Sequence, residues 1–183
     1  MKKPRIGELG LSLIAVVLIL TLIMVINIVR LKKGVEKTKP RLEKYAVNIY
    51  KLNATLIDLD GNIVKLEKFK GKIVILDFFG TYCAPCIKEL VELRKIYDKY
   101  RGTVEIVTIC VDKKIDKAKE MMKRYGVTWT VVIEEDYTLV NTFEVKYIPT
   151  LAFCDGEGNV RKVIVGFHEA EDIEAIIKEL IGG

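Results

Sequence analysis

Glutamine is absent from the 183 residues, histidine occurs once and cysteine four times. A structural zinc site needs four ligands, and beyond Cys83 and Cys86 the chain offers only Cys110, Cys154 and His168, so a zinc reading has little material. The missing glutamine, set against abundant Lys, Glu and Ile, leans toward a thermophilic composition. Intracellular proteins of hyperthermophiles can carry disulfides, so the cysteines alone do not fix the compartment. Internal repeats and low-complexity stretches are also lacking, which excludes repeat arrays. A positive field over the globular part is missing too. The formal charge is +5, but residues 1–41 hold nine Lys/Arg against two Glu, a balance of +7. Residues 42–183 hold 21 Lys/Arg against 23 Asp/Glu, a balance of −2, and so have no overall attraction for nucleic acid.

Charge of either sign is absent from residue 9 to residue 29, where the only polar interruptions are Ser12, Thr21 and Asn27. Twenty-one helical residues reach roughly 32 Å, matching a hydrocarbon core of about 30 Å. A buried core helix would need a solvated stripe, and this segment is apolar all round. The run is too long for a signal-peptide core, and no small-x-small cleavage site precedes Arg30, Lys32 and Lys33. An uncleaved single-pass anchor is expected at 9–29, after a basic flank at 1–8 and before a linker at 30–52 and a domain at 53–183. The flanking lysines and arginines, counted by the positive-inside rule, place that domain in the cytoplasm. Long domains translocate despite such charge, and a tethered cysteine pair has work outside, where disulfides form. The extracytoplasmic side is the expectation; the cytoplasmic-facing orientation stays open.

Beyond the linker, residues 55–58 and 63–66 flank Asp60-Gly61-Asn62 and read as a β-hairpin. The run 73–79 is apolar except for Asp77 and reads as a buried central strand. Ile87, Leu90, Leu93, Tyr97 and Tyr100 then recur at helical spacing up to Arg101-Gly102. A second buried strand at 104–111, a Lys-rich amphipathic helix at 115–125, a short strand near 131–133 and a helical turn near 137–143 follow. Strands at 150–154 and 160–165 flank the turn Asp155-Gly156-Glu157-Gly158, and a helix runs from 169 to 181. This order predicts an α/β domain, a sheet with helices on both faces.

Cys83 and Cys86 stand where the buried strand ends and a helix begins. A cysteine at a helix start faces unpaired backbone N–H groups and the positive end of the helix dipole, both of which favour thiolate. Cys86, one turn on, lies within reach as the resolving thiol. Pro85 falls in the first helical turn, where its missing N–H does no harm. A structural disulfide or half of a metal site would also explain two cysteines. A CxxC between a buried strand and a helix in a βαβ context favours redox chemistry.

Residues 53–181 resemble the thioredoxin superfamily, most closely membrane-tethered thioredoxin-like proteins of the TlpA type, which include thiol reductants serving cytochrome c maturation. The resemblance rests on Gly71-Lys72, the stretch Asp77-Phe-Phe-Gly-Thr-Tyr-Cys-Ala-Pro-Cys, Glu89, and Tyr147-Ile148-Pro149-Thr150, followed by an Asp-Gly turn and Gly166. It implies a thioredoxin fold, a central mixed β-sheet flanked by helices with an N-terminal hairpin extension. It further implies a redox-active pair at Cys83 and Cys86 and a cis bond before Pro149. The Ile148 backbone would offer strand-like hydrogen bonds to an extended substrate, with Tyr82, Ala84 and Pro85 at its side. Tyr82 stands where the family usually has Trp. An ordinary proline opening a strand is the plainer reading of Pro149. Thioredoxins carry an acid at the offset of Asp77, a proton acceptor for Cys86 if burial raises its pKa; at an exposed strand end it would be merely structural. Glu89 matches an acid that tethered members keep near the cysteines, and on a surface helix face it would equally be solvated.

In the thioredoxin strand order Cys110 and Cys154 flank the central strand, roughly 9–10 Å apart and beyond disulfide reach, so both are expected as buried free thiols. His168 is expected at the surface without a role. The resulting expectation is a monomeric membrane-tethered thiol–disulfide oxidoreductase without metal or cofactor. Its partners are protein thiols or disulfides and an upstream electron donor. The Ala84-Pro85 pair resembles reductants more than strong oxidants. A copper-delivery protein of related fold would show CxxxC spacing and a nearby His. A thiol peroxidase would have Thr three residues before its cysteine, whereas Thr81 is two before Cys83.

Overall fold

A computed structural model describes residues 18–27 and 47–182. They belong to two compact units, Met1–Arg41 and Leu42–Gly183. In the first, residues 18–27 form a helix, α1, with every side chain exposed. The rest of the expected anchor, its basic flank and residues 30–46 lie outside the described residues. Among the described residues no helix is long and apolar enough to cross a membrane.

In the second unit, β-branched runs build seven strands: β1 (Leu56–Asp58), β2 (Ile63–Val64), β3 (Ile73–Phe79), β4 (Val104–Cys110), β5 (Thr130–Glu134), β6 (Thr150–Cys154) and β7 (Val160–Val165). They form one mixed sheet in the order β2-β1-β5-β4-β3-β6-β7. β3 pairs parallel with β4, and β4 with β5, while β1, β2, β6 and β7 join antiparallel. Four helices follow in the chain: α2 (Ala84–Lys99), α3 (Ile115–Arg124), α4 (Thr138–Thr142) and α5 (Ala170–Gly182) where α4 is a single short turn.

Side-chain alternation along β3 divides the core. Ile73, Ile75 and Phe79 face Leu90, Leu93 and Ile96 of α2, Met121 of α3 and Ile173 of α5. Val74, Leu76 and Phe78 face Leu139 of α4 together with Ile49, Leu66 and Phe69. With both faces covered, β3 is buried along its whole length, which is why its sequence is a continuous apolar run rather than an alternating one. Asp77, two residues from Ile75 and Phe79, points to the α2 face.

Two boundaries differ from expectation by more than a single residue. β2 ends at Val64, because Leu66–Phe69 forms a 3-10 turn that brings Leu66 and Phe69 down together onto the core. Residues 47–52, expected in the linker, belong to the domain. Ile49 N–H donates to the Gly158 carbonyl at 2.8 Å, Val160 N–H donates to the Val47 carbonyl at 3.0 Å, and Ile49 and Tyr50 are buried. The Tyr50 ring lies so close over Gly158, whose φ is +85°, that any Cβ there would collide with it.

Candidate active site

β3 leads directly into the cysteine turn. At its exit, a Cβ on Gly80 would lie 2.7 Å from Ile148 Cδ1 and 3.2 Å from Tyr82 Cε1, so a larger residue there would push the Ile148 side chain aside. Thr81 is buried; its hydroxyl donates to Asp112 Oδ2 at 2.6 Å and its N–H to Oδ1 at 3.4 Å, tying the turn to the loop after β4. Cys83 is the N-cap of α2, its sulfur accepting the Cys86 N–H at 3.2 Å, and Ala84 and Pro85 open the helix. The two sulfurs are bonded, 2.07 Å apart, with Cα atoms separated by 5.3 Å. Cys83 keeps 7% of its surface exposed and Cys86 1%, so Cys83 is the less enclosed of the two.

Across from the pair, the Ile148–Pro149 bond is cis. The Ile148 carbonyl oxygen lies 3.7 Å from Cys83 Sγ. Thr150 Oγ1 donates to the Tyr147 carbonyl at 2.7 Å, and Gly166 N–H donates to the Pro149 carbonyl at 2.8 Å, fixing this loop from both ends. Ala84, Pro85, Tyr82 and Tyr147 stand exposed around the sulfur. Cys83, Cys86, Tyr82, Ala84, Pro85, Ile148 and Pro149 are thus gathered at one end of the sheet.

The two acids resolve against their solvated alternatives. Asp77 is 2% exposed, and burial pushes its carboxyl up to about 7 against the pull of one hydrogen bond. That bond comes from Thr108 Oγ1 at 2.9 Å, a partner that sequence reasoning did not supply. Glu89 is 1% exposed, raised to about 8 by burial and by the charge of Asp77, with the His168 amide opposing. His168, expected at the surface without a role, is half-buried, and its backbone N–H donates to Glu89 Oε1 at 3.0 Å. Glu89 Oε2 is buried without a hydrogen-bond partner.

Cys110 and Cys154 are free and buried, on the strands flanking β3. They also point to opposite faces of the sheet. Burial pushes the Cys110 thiol up to about 12 and raises that of Cys154 as well. Cys110 Sγ donates to Asp112 Oδ1 at 3.1 Å. Among the described residues no group of three His, Cys, Asp or Glu is placed to hold a metal ion.

Thr108, Trp129 and the Thr81–Asp112 tie were not singled out from sequence. One signal was available: Asp77 is the fifth residue of β3 and Thr108 the fifth of β4, polar intrusions at matching offsets in adjacent buried strands that are paired in register.

The sequence profile described as the AhpC/TSA family matches residues 47–163. The thiol-disulfide oxidoreductase ResA of Bacillus thuringiensis (strain Al Hakam) is 32% identical over 146 residues, which are 79% of this chain and 82% of the relative. Among solved structures, a thiol:disulfide interchange protein of the thioredoxin family from Chlorobium tepidum TLS superimposes with a TM-score of 0.64 at 26% identity, covering 74% of this chain and 97% of that one. A DsbF homologue from Corynebacterium diphtheriae gives 0.64 at 23% identity over 70% and 85% of the two chains, a likeness of fold.

Proposed function

The chain belongs to the AhpC/TSA family and, with its ResA-type relatives, is a thiol–disulfide oxidoreductase; on that premise we propose that it is a membrane-tethered reductase of protein disulfides, working through Cys83 and Cys86. The observation that carries the reading is the bonded pair at the start of α2, its first sulfur less enclosed than its second. In the reduced protein the helix N-terminus favours the Cys83 thiolate. The thiolate attacks a substrate disulfide, forms a mixed disulfide and releases one substrate thiol. The extended substrate lies along the Ile148 backbone before Pro149, flanked by Tyr82, Ala84 and Pro85. Cys86 then gives its proton to the Asp77 carboxylate and attacks the Cys83 sulfur, which releases the second substrate thiol and leaves the Cys83–Cys86 disulfide. Two electrons pass to the substrate, and an upstream dithiol donor returns them. Glu89, buried beside Asp77, holds a second proton at neutral pH within the same pocket.

The direction of electron flow rests on the Ala84-Pro85 pair, which resembles that of reductants. Tethering rests on the uncharged run 9–29, whose described part, 18–27, is helical and exposes its apolar side chains all round. The extracytoplasmic side is proposed for the domain because a tethered cysteine pair has work where disulfides form. Trapping in intact membranes tests the cysteine roles and the topology together: Cys86→Ser should accumulate covalent mixed disulfides and Cys83→Ser none. Thiol reagents applied from each side should label the trapped protein only from outside. Capture by Cys83→Ser instead would reverse the two roles, and labelling only from the cytoplasm would reverse the topology.

A further inference from the structure

Asp77 receives a single side-chain hydrogen bond, and that bond has a built origin. A hydroxyl has one proton to give, and an indole N–H can only donate. Thr108 Oγ1 lies 2.9 Å from Trp129 Nε1 and 2.9 Å from Asp77 Oδ2. Since Thr108 must accept from the indole, its own proton is committed to Asp77. All three side chains are buried, and the Trp129 ring is held from its other side by Tyr97, centroid to centroid 5.4 Å. We propose that Trp129 and Thr108 are positioning residues, a fixed donor relay that keeps one hydrogen bond on Asp77 Oδ2 and so sets the pH at which Asp77 takes the Cys86 proton. The inference rests on the role given to Asp77 above. No proton moves along the relay; it stabilises the ionised carboxylate against burial, and the proton that Asp77 gains comes from Cys86.

The surroundings of Asp77 leave the relay as its main polar support. From α2 it meets Glu89, whose carboxyl feels its charge, and the cysteine pair on the same face. β6 offers Leu151 in register, and α3 and α5 turn the apolar Met121, Met122, Ile173 and Ile177 to that face, while β4 adds Cys110, a thiol kept neutral by burial that donates to Asp112 rather than to Asp77. Valine at position 108 would serve the packing equally well, so the hydroxyl is there for its bonds.

Trp129 is the only tryptophan, so its fluorescence reports this pocket. The full chain, oxidised and in detergent micelles, is titrated from about pH 5 to pH 10. In parallel, the acid limb of the pH profile is measured for insulin reduction by the dithiothreitol-reduced protein. In a Glu89→Gln background, which removes the neighbouring titration, Asp77→Asn should abolish the fluorescence inflection. Thr108→Val should move inflection and acid limb up by about one pH unit, a tenfold gain in proton affinity, as loss of a hydrogen bond to a charged group implies. Thr108→Ser should restore both, and Trp129→Phe should move the acid limb in the same direction by less. If Asp77→Asn abolishes the inflection while Thr108→Val leaves it and the limb in place, the relay is overturned and the role of Asp77 stands. If Asp77→Asn changes neither, the role of Asp77 falls and the relay with it. Should Thr108→Val fail to fold, Trp129→Phe decides alone: an unmoved acid limb overturns the relay.

Discussion

Glu89 binds its proton far more tightly in the folded protein than in the unfolded chain, its carboxyl rising from 4.5 to about 8. For an acid raised on folding, the native state keeps a proton that the denatured state releases, so stability is full below about pH 4.5 and drains away as pH climbs toward 8. At about 1.4 kcal/mol per pH unit, the span sets a ceiling of roughly 5 kcal/mol. Local relaxation and the charge shared with Asp77 reduce the expected share to about 2–4 kcal/mol. Glu89→Gln keeps the size of the side chain and an acceptor for the His168 amide, but cannot titrate. Its NH₂ inherits the partnerless place of Oε2, at a cost of about 1–3 kcal/mol that is the same at every pH. The measurement is therefore a difference of differences. Urea unfolding of the oxidised full chain in detergent, followed by Trp129 fluorescence, is compared for both proteins at pH 5 and pH 8. Relative to the parent, the variant should gain about 1.5–3 kcal/mol between the two conditions. A gap that stays constant within about 0.5 kcal/mol would show that Glu89 does not titrate in this window, and the picture of a buried, proton-holding acid beside the cysteines would have to be abandoned.

Three further outcomes are expected. Gly80→Ala brings a methyl group within 2.7 Å of Ile148 Cδ1, the tip of that side chain, and should lower insulin reduction about two- to fivefold by shifting the Ile148 side chain, with a smaller loss of thermal stability. Asp112 stays ionised because the Thr81 hydroxyl and the Cys110 thiol outweigh the effect of burial; Asp112→Asn should cost about 1–2 kcal/mol in urea unfolding at pH 7, and the deficit should shrink as the pH falls through the depressed carboxyl value of the parent. In the native oxidised protein Ellman's reagent should find no reactive thiol, and after denaturation two per chain, since Cys110 and Cys154 are enclosed and their thiols pushed up; rapid labelling of the native form would contradict the burial described.

The strands and helices of the domain were legible because the buried parallel strands leave continuous apolar runs and α2 leaves a clean helical period. β3, β6 and β7 fall on the boundaries read from sequence. The start of the domain was not legible: Asn48-Ile49-Tyr50 is too short to show a period, and its burial depends on Gly158, more than a hundred residues away. The site was legible where local order makes it, at the cysteines and at Ile148-Pro149. It was obscure where tertiary contact makes it. Whether Glu89 sits in solvent or in the core depends on α5 closing over α2, and nothing in the helix's own sequence reports that. Thr108 and Trp129 become polar partners only once β3 and β4 pair in register and the indole swings beneath Tyr97.

Residues 47–49 are stitched to the β6–β7 turn, at the pole of the sheet where β3 begins, whereas the sulfurs sit where β3 ends. The length of that strand, roughly 23 Å at about 3.3 Å per residue, separates the two points. A client seated over the dithiol therefore approaches the domain from the pole opposite the one that Val47 and Ile49 close.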